Sequence, residues 1–150
     1  MSEDRKDTLE SWNSVFHVLM RAVIHDVQKR LQPILDRYGL SKVHIAYLVA
    51  LDAGQTTLRC LSDDLGMDKA NTTRAMNGLR EAGLAEDDRQ SENSRKYNVF
   101  LTEGGKDLAK ELKAELEGAY GQYMEGISDE EIRLTLDILD HIRKNVESSK

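Results

Sequence analysis

Apolar residues recur at helical spacing over most of the chain and at strand spacing in one short stretch. Over residues 7–38 and again over 103–147, apolar side chains return every three or four positions and form long amphipathic stripes. Tyr97, Val99 and Leu101 instead fall on every second position, which is the period of a half-buried strand. The pattern therefore predicts a mainly α-helical protein with a small β-wing, an α+β fold.

The middle of the chain is predicted to form two short helices joined by a tight turn. The first helix, Leu58–Leu65, has an apolar stripe and ends at Gly66. The second helix begins after Asp68, runs from Lys69 to Ala82 and stops at Gly83. Two helices joined this closely must cross steeply, so the pattern predicts a helix-turn-helix.

Capping residues mark the predicted helix starts, because their side-chain oxygens accept backbone N–H groups of the first turn. These residues are Ser41, Thr57, Asp68, Thr102 and Ser128, the last in a capping box with Glu131. Pro33 lies inside the first stripe and predicts a kink or a helix end shortly before it, since proline lacks the N–H and clashes with the preceding turn. Tyr38-Gly39 is the predicted final stop.

The outward face of the helix from Lys69 carries side chains that suit the edges of DNA bases. Asn pairs with adenine through two hydrogen bonds, Arg pairs with guanine, and Thr or Ala contacts the thymine methyl group. The outward residues are Lys69, Ala70, Asn71, Thr73, Arg74 and Asn77. On an isolated helix this would be an ordinary solvated face, but before a wing it predicts a helix that reads the major groove.

A polar loop separates the two strands of the predicted wing, 85–88 and 97–101. Basic residues at a wing tip bind phosphates or enter the minor groove, although any hairpin tip is polar and mobile. The candidate DNA contacts in this loop are Arg89, Asn93, Ser94, Arg95 and Lys96.

Residues 38–108 resemble the MarR family of bacterial and archaeal transcriptional regulators. The motifs are Tyr38-Gly39-Leu40-Ser41 before a helix, Asp68-Lys69 and Thr73-Arg74 in the recognition helix, Gly83-Leu84 after it, and Val99, Leu101-Thr102 and Gly105 behind the wing. The resemblance implies a single unit, 1–150, with a winged helix-turn-helix over 41–102. It also implies that 7–38 and 103–147 form an intertwined dimerisation domain, which places two recognition helices on a pseudo-palindromic DNA site.

Three positions depart from the family pattern. The wing motif of the family is Asp, any residue, Arg, and this chain has Asn93-Ser94-Arg95. Gly78 stands where a larger residue is usual, and a glycine inside a helix costs about 1 kcal/mol against alanine. Asp87 and Asp88 lie where a basic residue is common. We therefore expect the recognition helix to supply most of the specificity and the wing to contribute less than in the relatives.

The charge of the chain excludes a protein that simply coats nucleic acid. There are 21 Lys and Arg against 27 Asp and Glu, a net charge of −6, and residues 55–101 contain seven basic against eight acidic residues. DNA binding must then depend on where the charges lie, and it should weaken steeply with salt because bound phosphates release counterions.

Motifs of enzymes and of membrane proteins are missing from the sequence. It has no glycine-rich phosphate loop, nucleophile elbow or Cys-x-x-Cys, and its four histidines never stand four residues apart. The sequence therefore predicts no catalytic residue, no metal and no cofactor. With no long apolar run and no signal peptide, it predicts a cytoplasmic protein without a membrane partner.

Two sensing sites are candidates. Under the resemblance, His17 occupies the place of the reactive cysteine of the peroxide-sensing branch, beside a cavity between the dimerisation and DNA-binding parts. The candidate lining of an effector pocket is Trp12, Phe16, His17 and His44, which would suit a small aromatic or carboxylate ligand. Cys60 lies in a first helical turn, where the helix dipole favours a thiolate. Ordinary structural roles are the alternative for each residue.

The sequence as a whole predicts a homodimeric regulator, a repressor with an activator as the alternative, that binds double-stranded DNA and responds to a small effector. One alternative is a winged-helix module that has lost DNA reading and binds proteins through its acidic surface. A regulator gated by redox chemistry or by a metal is a variant of the main hypothesis.

Overall fold

The helices and strands follow one another in the predicted order. They are α1 (Glu3–Asp36), α2 (Val43–Asp52), α3 (Leu58–Leu65), α4 (Lys69–Glu81), β1 (Ala85–Asp87), β2 (Val99–Leu101), α5 (Glu103–Tyr123) and α6 (Asp129–Ser148). This computed structural model describes residues 1–54 and 57–149, so Gln55 and Thr56 of the predicted module and Lys150 lie outside the described residues. The order confirms a mainly helical fold with a small two-stranded wing. The chain forms two units, Met1–Glu115 and Leu116–Lys150.

Helix α1 continues through Pro33 to Asp36, so of the two expected effects of the proline, a kink or an earlier helix end, the earlier end is wrong. Pro33 lies in the last turn and lacks the N–H that would bond the carbonyl of Lys29, so the helix continues there despite the loss of one backbone hydrogen bond. Leu31 and Leu35 on either side of it are each 1% exposed, and their burial holds the last turns in helical form. The predicted stop is confirmed, since Gly39 takes a left-handed φ of 66° directly after the helix.

The start of α2 differs from the prediction, because Ser41 does not cap it. The N-cap residue is Lys42, which has helical backbone angles and makes no side-chain cap. The Ser41 N–H donates to Nδ1 of His44 over 3.1 Å, and the hydroxyl of Ser41 lies 3.3 Å from the same nitrogen. The hydroxyl of Ser41 therefore lies at the imidazole of His44 and accepts no backbone N–H of the helix start.

The other four predicted caps are confirmed. Each side-chain oxygen accepts a backbone N–H three residues on: Thr57 from Cys60 (3.1 Å), Asp68 from Asn71 (2.7 Å), Thr102 from Gly105 (3.1 Å) and Ser128 from Glu131 (3.2 Å). The carboxylate of Glu131 also accepts the Ser128 N–H over 2.9 Å, which completes the capping box.

A buried hydroxyl joins the three helices of the DNA-binding module. Thr72 of α4 is completely buried, and its oxygen lies 3.1 Å from the hydroxyl of Tyr47 in α2 and 3.0 Å from that of Ser62 in α3. The leucines around this junction are buried as well, among them Leu48, Leu61 and Leu79. Because a buried polar group is costly unless it is hydrogen-bonded, this junction allows few alternative placements of α4.

The wing follows α4 after a turn at Gly83. Strand β1 pairs with β2 in antiparallel register, with Ala85 opposite Leu101. Behind the wing, a Cβ atom on Gly105 would lie 2.0 Å from the carbonyl oxygen of Leu84, so only glycine fits there. The base of the wing and the first turn of α5 are thus in direct backbone contact.

Long apolar side chains remain exposed on the terminal helices. Helix α6 has no buried residue, and it exposes Leu134, Leu136, Ile138, Leu139 and Val146. Helix α1 exposes Leu9, Trp12, Val15, Val18, Leu19, Met20 and Ile24. Within the described part of the chain, none of the helices has the length and apolar character needed to cross a membrane.

Candidate nucleic-acid interface

Helix α4 buries one face in the module and presents the opposite face to solvent. Its buried residues are Thr72, Ala75, Met76 and Leu79. Of the predicted base-reading residues, Lys69, Ala70, Asn71, Arg74 and Asn77 are exposed, and Thr73 is half-buried. The structure therefore brings the predicted set together on one accessible surface at the amino-terminal side of the helix.

A chain of hydrogen bonds runs along this surface from the N-cap of α4. Asp68 accepts the backbone N–H of Asn71 over 2.7 Å with one carboxylate oxygen and its side-chain amide over 2.9 Å with the other. The amide oxygen of Asn71 in turn accepts a guanidinium N–H of Arg74. The hydroxyl of Thr73 donates back to the carbonyl of Lys69 over 2.9 Å.

These contacts give Asn71 and Arg74 different roles in the free protein. Bidentate pairing with adenine needs both the amide oxygen and the NH₂ group of Asn71, and each of them already has a partner within α4. Arg74 keeps further donors, because a guanidinium has five N–H groups. The arrangement orients the guanidinium of Arg74 and engages both the amide oxygen and the NH₂ group of Asn71.

Gly78, which departs from the family pattern, faces the ring of His44. A Cβ atom at this position would lie 2.9 Å from Nε2 of His44, closer than real Cβ atoms approach other atoms. The backbone N–H of Ser41 holds the other ring nitrogen. The glycine therefore makes room for the imidazole between α2 and α4, which accounts for its presence inside the helix.

An acidic residue at the base of the wing binds two arginines. Asp87, at the end of β1, accepts the Arg89 guanidinium through Nε at 3.0 and 3.1 Å and through a terminal nitrogen at 2.8 Å. Its carboxylate also lies 3.3 Å from Nε of Arg80, in the last turn of α4. The Arg89 guanidinium stands 4.6 Å above the ring of Tyr97. These four residues form what we term the Asp87 cluster.

The environment of Asp87 stabilises its charge. Burial acts to raise the pKa of this carboxyl, but hydrogen bonds from Arg89 and the charges of Arg80 and Arg89 outweigh burial, so the pKa lies below its ordinary value. The neighbouring acid, Asp88, accepts the backbone and the side-chain amide of Asn98 across the hairpin over 2.7 and 2.9 Å. Both acids that depart from the family pattern thus have partners in the protein, Asp88 within the wing and Asp87 in both the wing and α4.

The predicted wing residues fall into two groups. Arg89 belongs to the Asp87 cluster, whereas Asn93, Arg95 and Lys96 are exposed beyond it. The tip is a turn in which the Ser94 N–H donates to the carbonyl of Ser91 over 3.1 Å. Among the residues that the structure describes, Arg95 has no ion-pair partner.

Three members of this cluster, Arg80, Asp87 and Tyr97, are not among the site residues predicted from the sequence. One signal for them is present, because the spacing Asp, any residue, Arg occurs at Asp87-Asp88-Arg89, six residues before Asn93-Ser94-Arg95. Between α4 and the wing lies an open groove of about 530 Å³. Its lining is Asn77, Arg80, Asp87, Arg89, Gln90, Ser91 and Glu92.

The candidate sensing residues lie in three places. Trp12 stacks on Phe16 with ring centroids 4.7 Å apart, and His17 meets Phe16 edge-on at 6.3 Å, all on α1. His44 lies against Gly78 instead. Cys60 is exposed in the first turn of α3. No group of three or more metal-binding side chains occurs within the described ranges.

A tight helix-turn-helix with an accessible second helix, followed by a two-stranded hairpin, defines a winged helix-turn-helix protein. No protein-family model matches the chain. It is 28% identical over 109 residues to the uncharacterised helix-turn-helix transcriptional regulator YdgJ of Bacillus subtilis, a match that covers 72% of this chain and 66% of that protein.

Solved structures extend the likeness over almost the whole chain. A MarR transcriptional regulator from Methanosarcina mazei has a TM-score of 0.73 at 25% identity, with 94% of this chain and 99% of that one covered. Staphylococcus aureus MarR in complex with salicylate and kanamycin has a TM-score of 0.79 at 17% identity, with 95% and 97% covered. A Listeria monocytogenes MarR-family regulator complexed with a 26-mer DNA has a TM-score of 0.69 at 24% identity, with 91% and 89% covered.

These likenesses confirm the resemblance that the sequence indicates. The chain has the winged-helix fold of the MarR family of transcriptional regulators.

Proposed function

We propose that this protein is a sequence-specific DNA-binding transcriptional regulator, a repressor, that acts as a homodimer on a pseudo-palindromic operator. The observation that carries the proposal is the accessible amino-terminal surface of α4, where Arg74 is oriented by Asn71 and Asn71 by Asp68. A structural neighbour with the same fold was solved with DNA. An oriented arginine suits guanine, whose O6 and N7 accept its two parallel N–H groups in the major groove.

The terminal helices support the homodimer. The apolar side chains exposed on α1 and those exposed on α6 are too many for surfaces that stay in water. A second copy of the chain offers the same surfaces, and twofold symmetry lets them bury one another. Two recognition helices about 34 Å apart would then meet successive major grooves, which is the spacing that a pseudo-palindrome requires.

Selection of duplexes from a random library by the full-length protein tests DNA reading. We expect the wild-type chain to enrich a two-fold symmetric site, and Arg74→Ala to lose the preference for guanine at one position of each half-site. That loss should correspond to about 1–3 kcal/mol of discrimination. Arg21→Ala removes an exposed arginine from α1, outside the winged module, and should leave the selected site unchanged.

The same selection separates the role of Asn71 from that of Arg74. If Asn71 acts by holding Arg74, Asn71→Ala should weaken the same guanine preference, and Asn71→Ala combined with Arg74→Ala should be no worse than Arg74→Ala. Loss of an adenine preference in Asn71→Ala, with guanine still preferred, would mean that Asn71 reads a base itself.

A second candidate is a winged-helix module that binds a protein rather than DNA. It is favoured by the net charge of −1 over residues 55–101, where seven basic residues stand against eight acidic ones. Failure of the wild-type chain to enrich any duplex at low salt would support this candidate and contradict the regulator. DNA-free pull-down with the full chain would then be the next measurement.

We further propose that a small aromatic or carboxylate effector modulates the regulator at Trp12, Phe16 and His17 on α1. His44, which lies against Gly78, is not part of this proposed site. A structural neighbour was solved with salicylate, and Trp12 is the only tryptophan of this chain, stacked on Phe16. Salicylate should therefore change the tryptophan fluorescence and weaken DNA binding, and His17→Ala should reduce both effects more than His25→Ala. Equal responses in both variants would remove His17 from the site.

A variant of this proposal is that oxidation of the Cys60 thiol, rather than a bound effector, controls DNA binding. The thiol is exposed at the amino end of α3. Mild hydroperoxide should lower DNA binding of the wild-type chain and leave Cys60→Ser unaffected. An identical response of the two proteins would exclude the thiol as a sensor.

A further inference from the structure

The Asp87 cluster joins two elements that the backbone connects only through the turn at Gly83. Arg80 lies in the last turn of α4, and Arg89 follows β1 in the wing. The single carboxylate of Asp87 binds both guanidinium groups, at 3.3 Å from Arg80 and at 2.8 to 3.1 Å from Arg89. The cluster is therefore a side-chain link between the recognition helix and the wing.

The burial of the cluster distinguishes it from an ordinary surface ion pair. The side chain of Asp87 is 6% exposed and that of Arg89 24%, while Arg80, which forms the link to α4, is 38% exposed. Exposed pairs contribute little, whereas removing one partner of a buried pair leaves a charge without compensation. Arg89 contacts the carboxylate through two of its nitrogens and lies over the Tyr97 ring, so its guanidinium is fixed in two directions.

The charges of the cluster favour a positioning role over phosphate binding. Arg80 and Arg89 face the groove between α4 and the wing, but Asp87 and Glu92 line the same groove. Two positive and two negative charges leave no net attraction for a phosphate. The contribution of the cluster must therefore come from where it holds the wing.

We propose that Asp87 is a positioning residue that fixes the wing against α4, so that Arg95 and Lys96 at the wing tip reach DNA while α4 occupies the major groove. The proposal rests on the proposed DNA-binding function. In the family pattern an Asp within the tip holds the arginine, and here residue 93 is Asn. Asp87 replaces that local support by a link at the base of the hairpin.

A wing that is fixed to α4 in advance lowers the entropic cost of DNA binding. A wing tip that moves relative to α4 must be immobilised when both elements touch DNA, and this ordering reduces the affinity. A wing already fixed to α4 presents Arg95 and Lys96 at one distance from the recognition helix. The effect of Asp87 on DNA binding should thus be expressed through the wing-tip residues.

A double-mutant cycle between Asp87 and Arg95 tests this. The probe is the duplex selected by the wild-type chain, and the affinities of wild type, Asp87→Asn, Arg95→Ala and the double variant are measured at one salt concentration. We expect each single change to weaken binding about tenfold and the double change to add little further, because Arg95 cannot contribute once the wing is loose. Hydroxyl-radical footprints should lose protection in the flanking minor groove and keep it under α4.

The matched control is Glu86→Gln. Glu86 is the exposed neighbour of Asp87 on the same strand, so this variant removes the same charge without touching the cluster. It should bind DNA as well as the wild type. If Asp87→Asn does not fold, as judged by circular dichroism, Arg80→Gln breaks the link to α4 alone and serves in the same cycle.

The outcomes separate this inference from the function on which it rests. Enrichment of no duplex by the wild type would contradict both. Wild-type binding with additive effects of Asp87→Asn and Arg95→Ala, or with an unchanged footprint in Asp87→Asn, would overturn the positioning role and leave the regulator standing. Full affinity of Arg95→Ala would show that the tip does not reach DNA, and the inference would fall.

Discussion

The winged module and the terminal helices use the same apolar residue types in opposite ways. In the module, Leu61 and Leu79 are completely buried, and the hydroxyls of Tyr47, Ser62 and Thr72 satisfy one another. Along α6 no residue is buried, although leucine and isoleucine recur there at the same helical spacing. The amphipathic pattern thus predicts a buried face equally well in the module and in α6, but in α6 no described residue is covered to the point of burial.

Apolar burial in the module stabilises a single chain, whereas apolar burial along the terminal helices would stabilise an assembly of chains. Burial of a leucine side chain contributes about 1.5–3 kcal/mol, and the module obtains this within the chain. The exposed stripes of α1 and α6 obtain it only when another surface covers them. We therefore expect the terminal helices to be sensitive to charges on their apolar side and the module to be sensitive to changes at its buried polar junction.

The largest effect is expected from a charge on the apolar stripe of α1. Leu19 is 55% exposed, and Leu19→Glu should abolish the dimer, because a carboxylate buried in an apolar interface lacks a partner. Sedimentation equilibrium of the full chain measures the change. Ser14→Glu places the same charge on an exposed polar position of α1 and should leave the dimer intact.

If the two variants sediment equally, the contrast between the module and the terminal helices is wrong, since the exposed stripe is then ordinary surface. A monomeric variant that keeps its circular dichroism spectrum would strengthen this contrast. It would show that the module and its helices fold before they associate.

A smaller but definite loss is expected at the buried junction of the module. Thr72→Val keeps the shape of the side chain and removes the hydroxyl shared by Tyr47 and Ser62, which should cost about 1–3 kcal/mol in the free energy of unfolding. Urea denaturation measures it. The control, Thr73→Val, changes a half-buried threonine whose hydroxyl bonds only the preceding turn, and its effect should be several times smaller.

The contact between Gly78 and His44 offers a subtler test inside the module. Alanine at position 78 should gain up to about 1 kcal/mol of helix propensity but must push the imidazole away, so Gly78→Ala should be close to neutral. In a His44→Ala background the same change should give its full gain. Equal effects in the two backgrounds would show that the ring moves aside at no cost.

The smallest effect concerns the response of the module to acid. The folded pKa of Asp87 lies below its unfolded value of about 3.9, so the charged form contributes stability above that pH and the contribution is lost as the pH falls through the folded pKa. The difference in unfolding free energy between wild type and Asp87→Asn should therefore be constant near neutral pH and shrink in acid. A difference that grows in acid would reverse the sign of the assigned interaction.

Local physics explains which features the sequence was able to predict. The bounds of α3, the start of α4 and the caps at Thr57 and Asp68 depend on residues within one turn, and they are as predicted. Ser41 failed as a cap because its hydroxyl lies beside the imidazole of His44 instead of accepting a helix N–H, a competition that a capping preference does not include. Pro33 failed as a stop because burial of its neighbours decided the outcome.

The candidate DNA-binding site likewise has features that the sequence predicts and features that it does not. The exposed face of α4 follows from helical periodicity, which the sequence displays directly. The link between Arg80 and Asp87 depends on how the turn at Gly83 folds the wing back onto the helix, and no periodic pattern encodes that distance. The occupied amide of Asn71 depends on a rotamer choice shared by three side chains.

The backbone contact at Gly105 couples the direction of α5 to that of the wing. Because no side chain separates Gly105 from the carbonyl of Leu84, the first turn of α5 and the base of the wing pack backbone against backbone. From Gly105 to Glu115, within the first unit, the helix rises about 15 Å at 1.5 Å per residue. A displacement of a few ångströms at Glu115 therefore corresponds to a tilt of roughly ten degrees where the wing begins.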